Sequence, residues 1–236
     1  ENSGKSDKLR IKQKVVEAVP VRAYQATITR LEKDYSLKLE MPSDSIPGRG
    51  GVNLAFKKSL SEGLQSVRDY MQKYPYSCLE QEVSKSISLR DPKRWENIAR
   101  KISTYLDSDG LAKYFPLSYW GSETLTSYVL TISHDAGWEI PEAPLNRMLG
   151  ALSRFAEGSL YRRSDLQTAD LAVRKLAAIE ALSKYGKAKP EYLSSIQIEP
   201  NLWPTSALID WWNILYRMKN LPDRDFRLKE AEDILR

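Results

Sequence analysis

Cysteine and glutamine stand three positions apart in YMQKYPYSCLEQEVSKSISL (70–89), and Cys78 is the single cysteine of the chain. Pro75 disfavours helix at Tyr74 and marks a boundary. Ser77 followed by Glu80 fits the Ser-x-x-Glu capping box, which predicts Ser77 as N-cap, Cys78 as the first helical residue and Gln81 as the fourth. Side chains three apart share a helix face, so the sulfur and the carboxamide can meet within one turn. Unpaired N–H groups and the positive end of the helix dipole favour a thiolate there. This pattern permits an intramolecular thioester, formed when the Cys78 sulfur acylates itself on the Gln81 side chain and ammonia leaves. An incoming amine or hydroxyl would then attack the Gln81 carbonyl carbon and expel the thiolate. Water competes, so the bond must be shielded, and Tyr74 and Tyr76 are the nearest aromatic covers.

The same residues allow other readings. A lone cysteine is commonly an inert core side chain. A Cys–His nucleophile would need His134, the sole histidine, in contact with Cys78 and a third group to orient it. His134 lies near the end of LTSYVLTISHDAG (125–137), where a cation suits the helix terminus in any case. Asp107 and Asp109 could serve as a carboxylate pair of a hydrolase, but they flank a turn in YLDSDGLAKYFP (105–116) and read as solvated.

Composition removes several function classes. One cysteine excludes an internal disulfide and a thiolate metal cluster, one histidine excludes a His-pair zinc site, and no loop has calcium-hand spacing. No cofactor or metal is expected. The net charge of +5 arises entirely in the first 60 residues, which hold 12 Lys/Arg against 7 Asp/Glu, while the remainder holds 24 of each. That excess is spread along strand-like segments and does not form a basic, aromatic-lined face, so nucleic acid is not an expected partner. No apolar run reaches the roughly 20 residues of a membrane span, and the polar ENSGKSDKLR start is no signal peptide. The absence of an initial methionine and a last helical pattern running to Arg236 predict a piece of a longer protein.

Two textures position the candidate pair. Residues 1–58 read as short strands around Leu9, Ile11, Val15–Val16, Val19, Val21 and Tyr24, then DYSLKLEMP (34–42), the turn cluster SIPGRGG (45–51) and VNLAFKKSL (52–60). These are too few for a complete sandwich. Residues 59–236 read as helices: 63–74, the segment after Ser77, 125–137, 141–158, 168–186, 204–220 and 223–236. Gly137, Gly158 and Gly186 are predicted C-terminal caps. Short helices joined by brief loops predict side-by-side hairpins, in a bundle, a solenoid or a closed α/α ring.

The long stretch GLQSVRDYMQKYPYSCLEQEVSKSISLRD carries Cys78-Leu79-Glu80-Gln81, a Cys-x-Glu-Gln signature. Together with DGLAKYFP (109–116), LTSYVL (125–130), ADLAVRKLAAIEALSKYG (169–186), IEPNLWPTSALIDWW (198–212) and SIPGRGGVNLAF (45–56), it resembles the thioester-containing domain of bacterial α2-macroglobulins. The resemblance implies a mainly α fold: an α/α toroid over 59–236, incomplete here, preceded by a partial antiparallel β-sandwich of the CUB kind over 1–58. It implies a broad-spectrum protease inhibitor and not an enzyme, capturing a lysine of the attacking protease at Cys78–Gln81. Ser77 and Glu80 would support the helix start, and Tyr74 and Tyr76 would cover the site. It also implies a periplasmic lipoprotein anchored outside this chain, associated with a peptidoglycan synthase (a penicillin-binding protein). Both glycines of the animal Gly-Cys-Gly-Glu-Gln pattern are replaced, by Ser77 and Leu79. His134 does not match the downstream histidine of some complement relatives, which predicts direct attack by amines. The alternative is a non-covalent scaffold of the same fold without a functional thioester.

Overall fold

The 3.6-residue periodicity from Gln65 onward becomes eight α-helices in the computed structural model, which describes residues 10–14, 27, 29–48, 50–56, 58, 65–163, 169–196 and 199–236. The chain divides into two units, Glu1–Leu60 and Ser61–Arg236. In the second unit the helices are α1 (Gln65–Lys73), α2 (Leu79–Leu89), α3 (Pro92–Lys101), α4 (Glu123–Asp135), α5 (Glu142–Glu157), α6 (Ala169–Lys184), α7 (Thr205–Arg217) and α8 (Arg224–Leu235). Short 3-10 turns at Ile102–Tyr105, Pro190–Ser195 and Pro200–Leu202 join some of them.

Helix α6 lies at the centre of the packing, against α4, α5 and α7, and α8 closes on α7. Its Leu176, Ile179 and Leu182 are fully buried, as are Leu130 on α4, Met148 and Leu152 on α5, and Ile214 on α7. Each such side chain contributes about 1.5–3 kcal/mol on leaving water. Helix α2 packs on α1, α3 and α4 and buries Leu79 and Val83 completely. The predicted glycine caps hold: Gly137, Gly158 and Gly186 follow α4, α5 and α6 with φ of 68°, 84° and 65°. Apolar periodicity does not mark helix α3. Its signal is local: the Asp91 side chain accepts from the Arg94 N–H at 3.0 Å, with Pro92 at the first helical position.

No β-ladder forms among the described residues; two isolated antiparallel bridges, Leu106–Ala112 and Ala112–Ser122, belong to the second unit. Among the described residues, segments 34–42 and 52–56 have no strand partner, and their alternating apolar side chains are open: Leu39 is 50% exposed, Met41 81% and Phe56 80%. Alternation supplies an apolar face, but a strand also needs a neighbour to take its N–H and C=O groups. The strands expected around Leu9, Val15–Val16, Val19, Val21 and Tyr24 lie outside the described residues.

The loop between the 3-10 turn and α4 is built on Asp107. Contrary to the solvated position expected, Asp107 is 5% exposed. Its carboxylate accepts from the N–H groups of Leu111 (2.9 Å) and Gly121 (2.8 Å) and from Arg162 (3.0 Å). Burial alone would raise its pKa, but those two backbone donors and the Arg162 guanidinium outweigh it and hold the carboxyl below its ordinary value. A tight Asp-Gly turn folds the carboxylate back on its own loop, which turn statistics do not foresee. Asp109, partly exposed, shares Arg162 at 2.7 Å, and Arg147 and Arg154 from α5 donate to the carbonyls of Asp107 and Asp109.

Candidate functional site

Cys78 is not the first helical residue but the N-cap of α2, with extended backbone (φ −70°, ψ 167°). The Cys78 N–H donates to Gln81 Oε1 at 3.0 Å. In return the Cys78 sulfur faces the backbone N–H of Gln81, at the third helical position, as a weak acceptor that falls short of a full cap hydrogen bond. The capping box is therefore made by Cys78 and Gln81, one residue later than the Ser77–Glu80 box expected. Ser77 is exposed and outside the helix.

Two tertiary contacts set this register. The N–H of Leu79 donates to the carbonyl of Tyr114 at 2.9 Å, so the Asp107-based loop occupies one of the orphan donors at the helix start. On the other side, the Tyr76 carbonyl accepts from Lys85 Nζ at 2.7 Å. The register leaves Cys78 7% exposed and Leu79 completely buried.

Glu80 does not cap the helix. Ser84 Oγ donates to the Glu80 carbonyl at 2.8 Å and lies 3.0 Å from its carboxylate, while its oxygen is 2.6 Å from the Tyr128 hydroxyl. Burial, opposed by the Ser84 hydrogen bond and joined by the Glu80 charge, raises the Tyr128 pKa. The carboxylate is thus tied to α4 through a serine–tyrosine pair.

Tyr74 and Tyr76 meet edge to face with centroids 5.3 Å apart, and Tyr70 of α1 packs on Tyr74 at the same separation. Tyr74 is half-buried, whereas Tyr76 is 59% exposed. Tyr114, in the 105–116 loop, lies beside this helix start, and no spacing in the sequence points to it. Its pKa is raised, by burial first and then by the fields of Cys78, Glu80 and Glu123, so the phenol stays neutral beside the sulfur.

His134 is not brought to Cys78. It sits in the last turn of α4, its ring against Tyr185 at 5.2 Å and Nδ1 3.6 Å from Asp135. A Cys–His nucleophile is therefore not assembled here. Among the described residues no group of three or more His, Cys, Asp or Glu side chains is placed to hold a metal ion, and no helix is long and apolar enough to cross a membrane.

Two clefts lie near these elements. One of about 380 Å³ runs past Leu79 and Glu82 to Arg94, Lys101 and Tyr105. The other, about 830 Å³, lies between Trp120, Tyr161, Arg162 and Arg174 and includes neither Cys78 nor Gln81. Its Arg162 is bound to Asp107 and Asp109, and its Arg174 to Glu123 and Asp170, so these cations belong to the fold.

The chemistry of the pair follows from this geometry. A nucleophile adding to the Gln81 carbonyl carbon drives charge onto Oε1. That oxygen already has the Cys78 N–H at 3.0 Å, within the range of an oxyanion donor.

The chain matches no protein-family model and no curated protein. Its fold is similar to that of solved bacterial α2-macroglobulins. Native α2-macroglobulin from Escherichia coli, spanning domain MG7 to the C-terminus, aligns with a TM-score of 0.60 at 20% identity over 72% of this chain and 31% of that one. The native conformation of the E. coli protein gives 0.59 at 20% over 72% and 12%. Salmonella α2-macroglobulin reacted with methylamine gives 0.58 at 20% over 72% and 13%. This chain thus spans about a third or less of the lengths it aligns with, and at this identity the likeness is one of fold.

Proposed function

We propose that this chain is the thioester-bearing segment of a bacterial α2-macroglobulin-like protease inhibitor. Cys78 and Gln81 are its covalent-capture pair. One observation carries the reading: a buried cysteine caps α2, and the glutamine three residues on folds its carboxamide back onto that cysteine's own N–H at 3.0 Å. The shared fold supports it, and one similar structure is of a Salmonella protein reacted with methylamine, a primary amine.

In the reaction Cys78 Sγ adds to Gln81 Cδ and the side-chain nitrogen leaves as ammonia, giving the thioester. A lysine amine of a protease then adds to the same carbon. Oε1 takes up the charge against the Cys78 N–H, the C–S bond breaks, and Cys78 returns as a thiol once the amine proton is passed on. The product is an amide between Gln81 and the protease. Each molecule reacts once, so the protein is not an enzyme, and no cofactor takes part.

The wider assignments rest on the resemblance. They are an α/α toroid completed by further helices, a CUB-type sandwich completed by further strands, and a periplasmic lipoprotein working beside a peptidoglycan synthase. A second reading, a non-covalent scaffold, is favoured by the exposed run Phe115, Leu117, Tyr119 and Trp120, with Leu117 95% and Tyr119 90% exposed.

Intact mass of the complete natural protein tests capture. The thioester lowers the mass by one ammonia, and methylamine adds its own mass while one thiol appears at Cys78. Gln81→Glu and Cys78→Ala abolish both changes. An unshifted mass, with Cys78 alkylating at once in the absence of amine, refutes capture and leaves the scaffold reading.

A further inference from the structure

Lys85 is a buried lysine, 8% exposed, one helical turn beyond Gln81 on α2. An ammonium held out of water requires partners, and here they come from both sides of the candidate pair. Nζ donates to the Tyr76 carbonyl at 2.7 Å, lies 5.7 Å from the centre of the Tyr74 ring, and is 3.6 Å from Glu82. Helical side chains lean toward the N-terminus, so a long side chain at position 85 reaches back past the first turn of α2. The contact with Tyr76 closes a loop of chain, residues 76–85, within which Cys78 and Gln81 both fall. Within the tyrosine segment the Tyr74 and Tyr76 rings pack edge to face, and Tyr70 packs on Tyr74.

We propose that Lys85 is a positioning residue that latches the Tyr74–Tyr76 segment onto α2 and thereby sets how readily a nucleophile or an alkylating reagent reaches Cys78 and Gln81. Its relevance to amine capture rests on the thioester reading above; the latch itself acts on the free thiol as well. Opening the segment requires breaking a charge-assisted hydrogen bond and withdrawing a cation from an aromatic face. The side chain contributes no atom to the reaction. It holds closed the path along which atoms arrive.

The test measures the rate of iodoacetamide alkylation of Cys78 in this chain, read by intact mass, for wild type, Lys85→Met and Lys85→Arg. Circular dichroism and the thermal midpoint check the fold of each. Methionine keeps the apolar length but lacks donor and charge, and is expected to raise the rate about tenfold, the scale of one charge-assisted hydrogen bond. Arginine can donate to the Tyr76 carbonyl and stack on Tyr74, and is expected to stay within about twofold of wild type. A Lys85→Met rate equal to wild type overturns the latch, as does an arginine rate equal to that of methionine. Should Lys85→Met fail to fold, Tyr74→Leu removes the ring but leaves the hydrogen bond; it is expected to raise the rate severalfold, and an unchanged rate overturns the proposal. In the complete protein, methylamine release of the thiol should accelerate in Lys85→Met in the same proportion. A wild-type mass without the ammonia deficit would refute the thioester while the alkylation rates still decide the latch.

Discussion

Asp107→Asn should destabilise the helical unit far more than the neighbouring Asp109→Asn, although both acids flank one turn. In the wild type, Asp107 Oδ1 accepts from the Leu111 N–H, and Oδ2 accepts from the Gly121 N–H and Arg162. Asparagine retains a single acceptor oxygen. If that oxygen stays on Leu111, the new NH₂ group opposes two donors in a site where the wild-type side chain is 2% exposed. A buried donor left without its partner costs about 1–3 kcal/mol. Arg162 keeps Asp109 at 2.7 Å and is itself 15% exposed, so its share falls at the low end. The sum is about 3 kcal/mol, which for a unit of this size lowers the thermal midpoint by roughly 6–12 °C. Asp109 is 29% exposed and leaves Arg162 with Asp107, so Asp109→Asn should cost no more than about 1 kcal/mol.

Thermal and urea melts at neutral pH, followed by circular dichroism, measure both variants. The pH dependence gives an independent check. The folded carboxyl lies below its ordinary value of 3.8, so between the two values the unfolded chain binds more protons and stability rises with pH. This contribution is complete above the ordinary value and is lost as pH falls through the folded one. The gap between wild type and Asp107→Asn should therefore narrow as the solution is acidified below about pH 4. Equal loss in the two variants, or an Asp107→Asn penalty under about 1 kcal/mol, would refute the claim that this carboxylate organises the loop.

Further outcomes are expected elsewhere. Burial, reinforced by the Glu180 charge and opposed by Lys184 and Arg217, raises the Asp210 carboxyl to about 7. Its contribution is complete below the ordinary aspartate value and is lost as pH rises through about 7, so Asp210→Asn should gain on wild type in melts at pH 8 relative to pH 4. Gly121→Ala should be among the most damaging single changes, because its Cβ would stand 2.3 Å from the Leu111 carbonyl oxygen and 2.5 Å from its carbon. A loss of at least about 3 kcal/mol is expected from forcing that backbone apart. Gly137→Ala, with φ of 68° and nothing within 4 Å of the added carbon, should cost only about 1–2 kcal/mol for the left-handed backbone. Comparable urea midpoints for the two glycine variants would contradict the packing at Gly121.

The helical half of the fold was legible because its signals are local. Apolar spacing on 141–158 and 168–186, and glycines placed just after each run, act within one or two turns, and α5 and α6 form where those patterns stand. The same locality explains the failures. Ser77-x-x-Glu80 and Cys78-x-x-Gln81 are capping patterns offset by one residue, and both fit the sequence. The Tyr114 carbonyl on the Leu79 N–H accompanies the second, and a partner 35 residues away leaves no trace in the spacing. Alternation in DYSLKLEMP likewise describes one face of a strand but says nothing of a neighbour to pair with.

Which atoms have the capacity to react is already written in the residue types. A lone thiol and a carboxamide three residues apart, beside a helix start, define one short list of chemistries, since bond-forming capacity belongs to residue type and local spacing. How those atoms are held came from packing: cysteine as the cap, its N–H on the glutamine oxygen, Glu80 tied to Tyr128 through Ser84, Asp107 buried under the loop, and the Lys85 ammonium on the Tyr76 carbonyl. Each of these depends on a group brought close by packing, where loss of water makes an unpaired polar atom expensive and so fixes its partner.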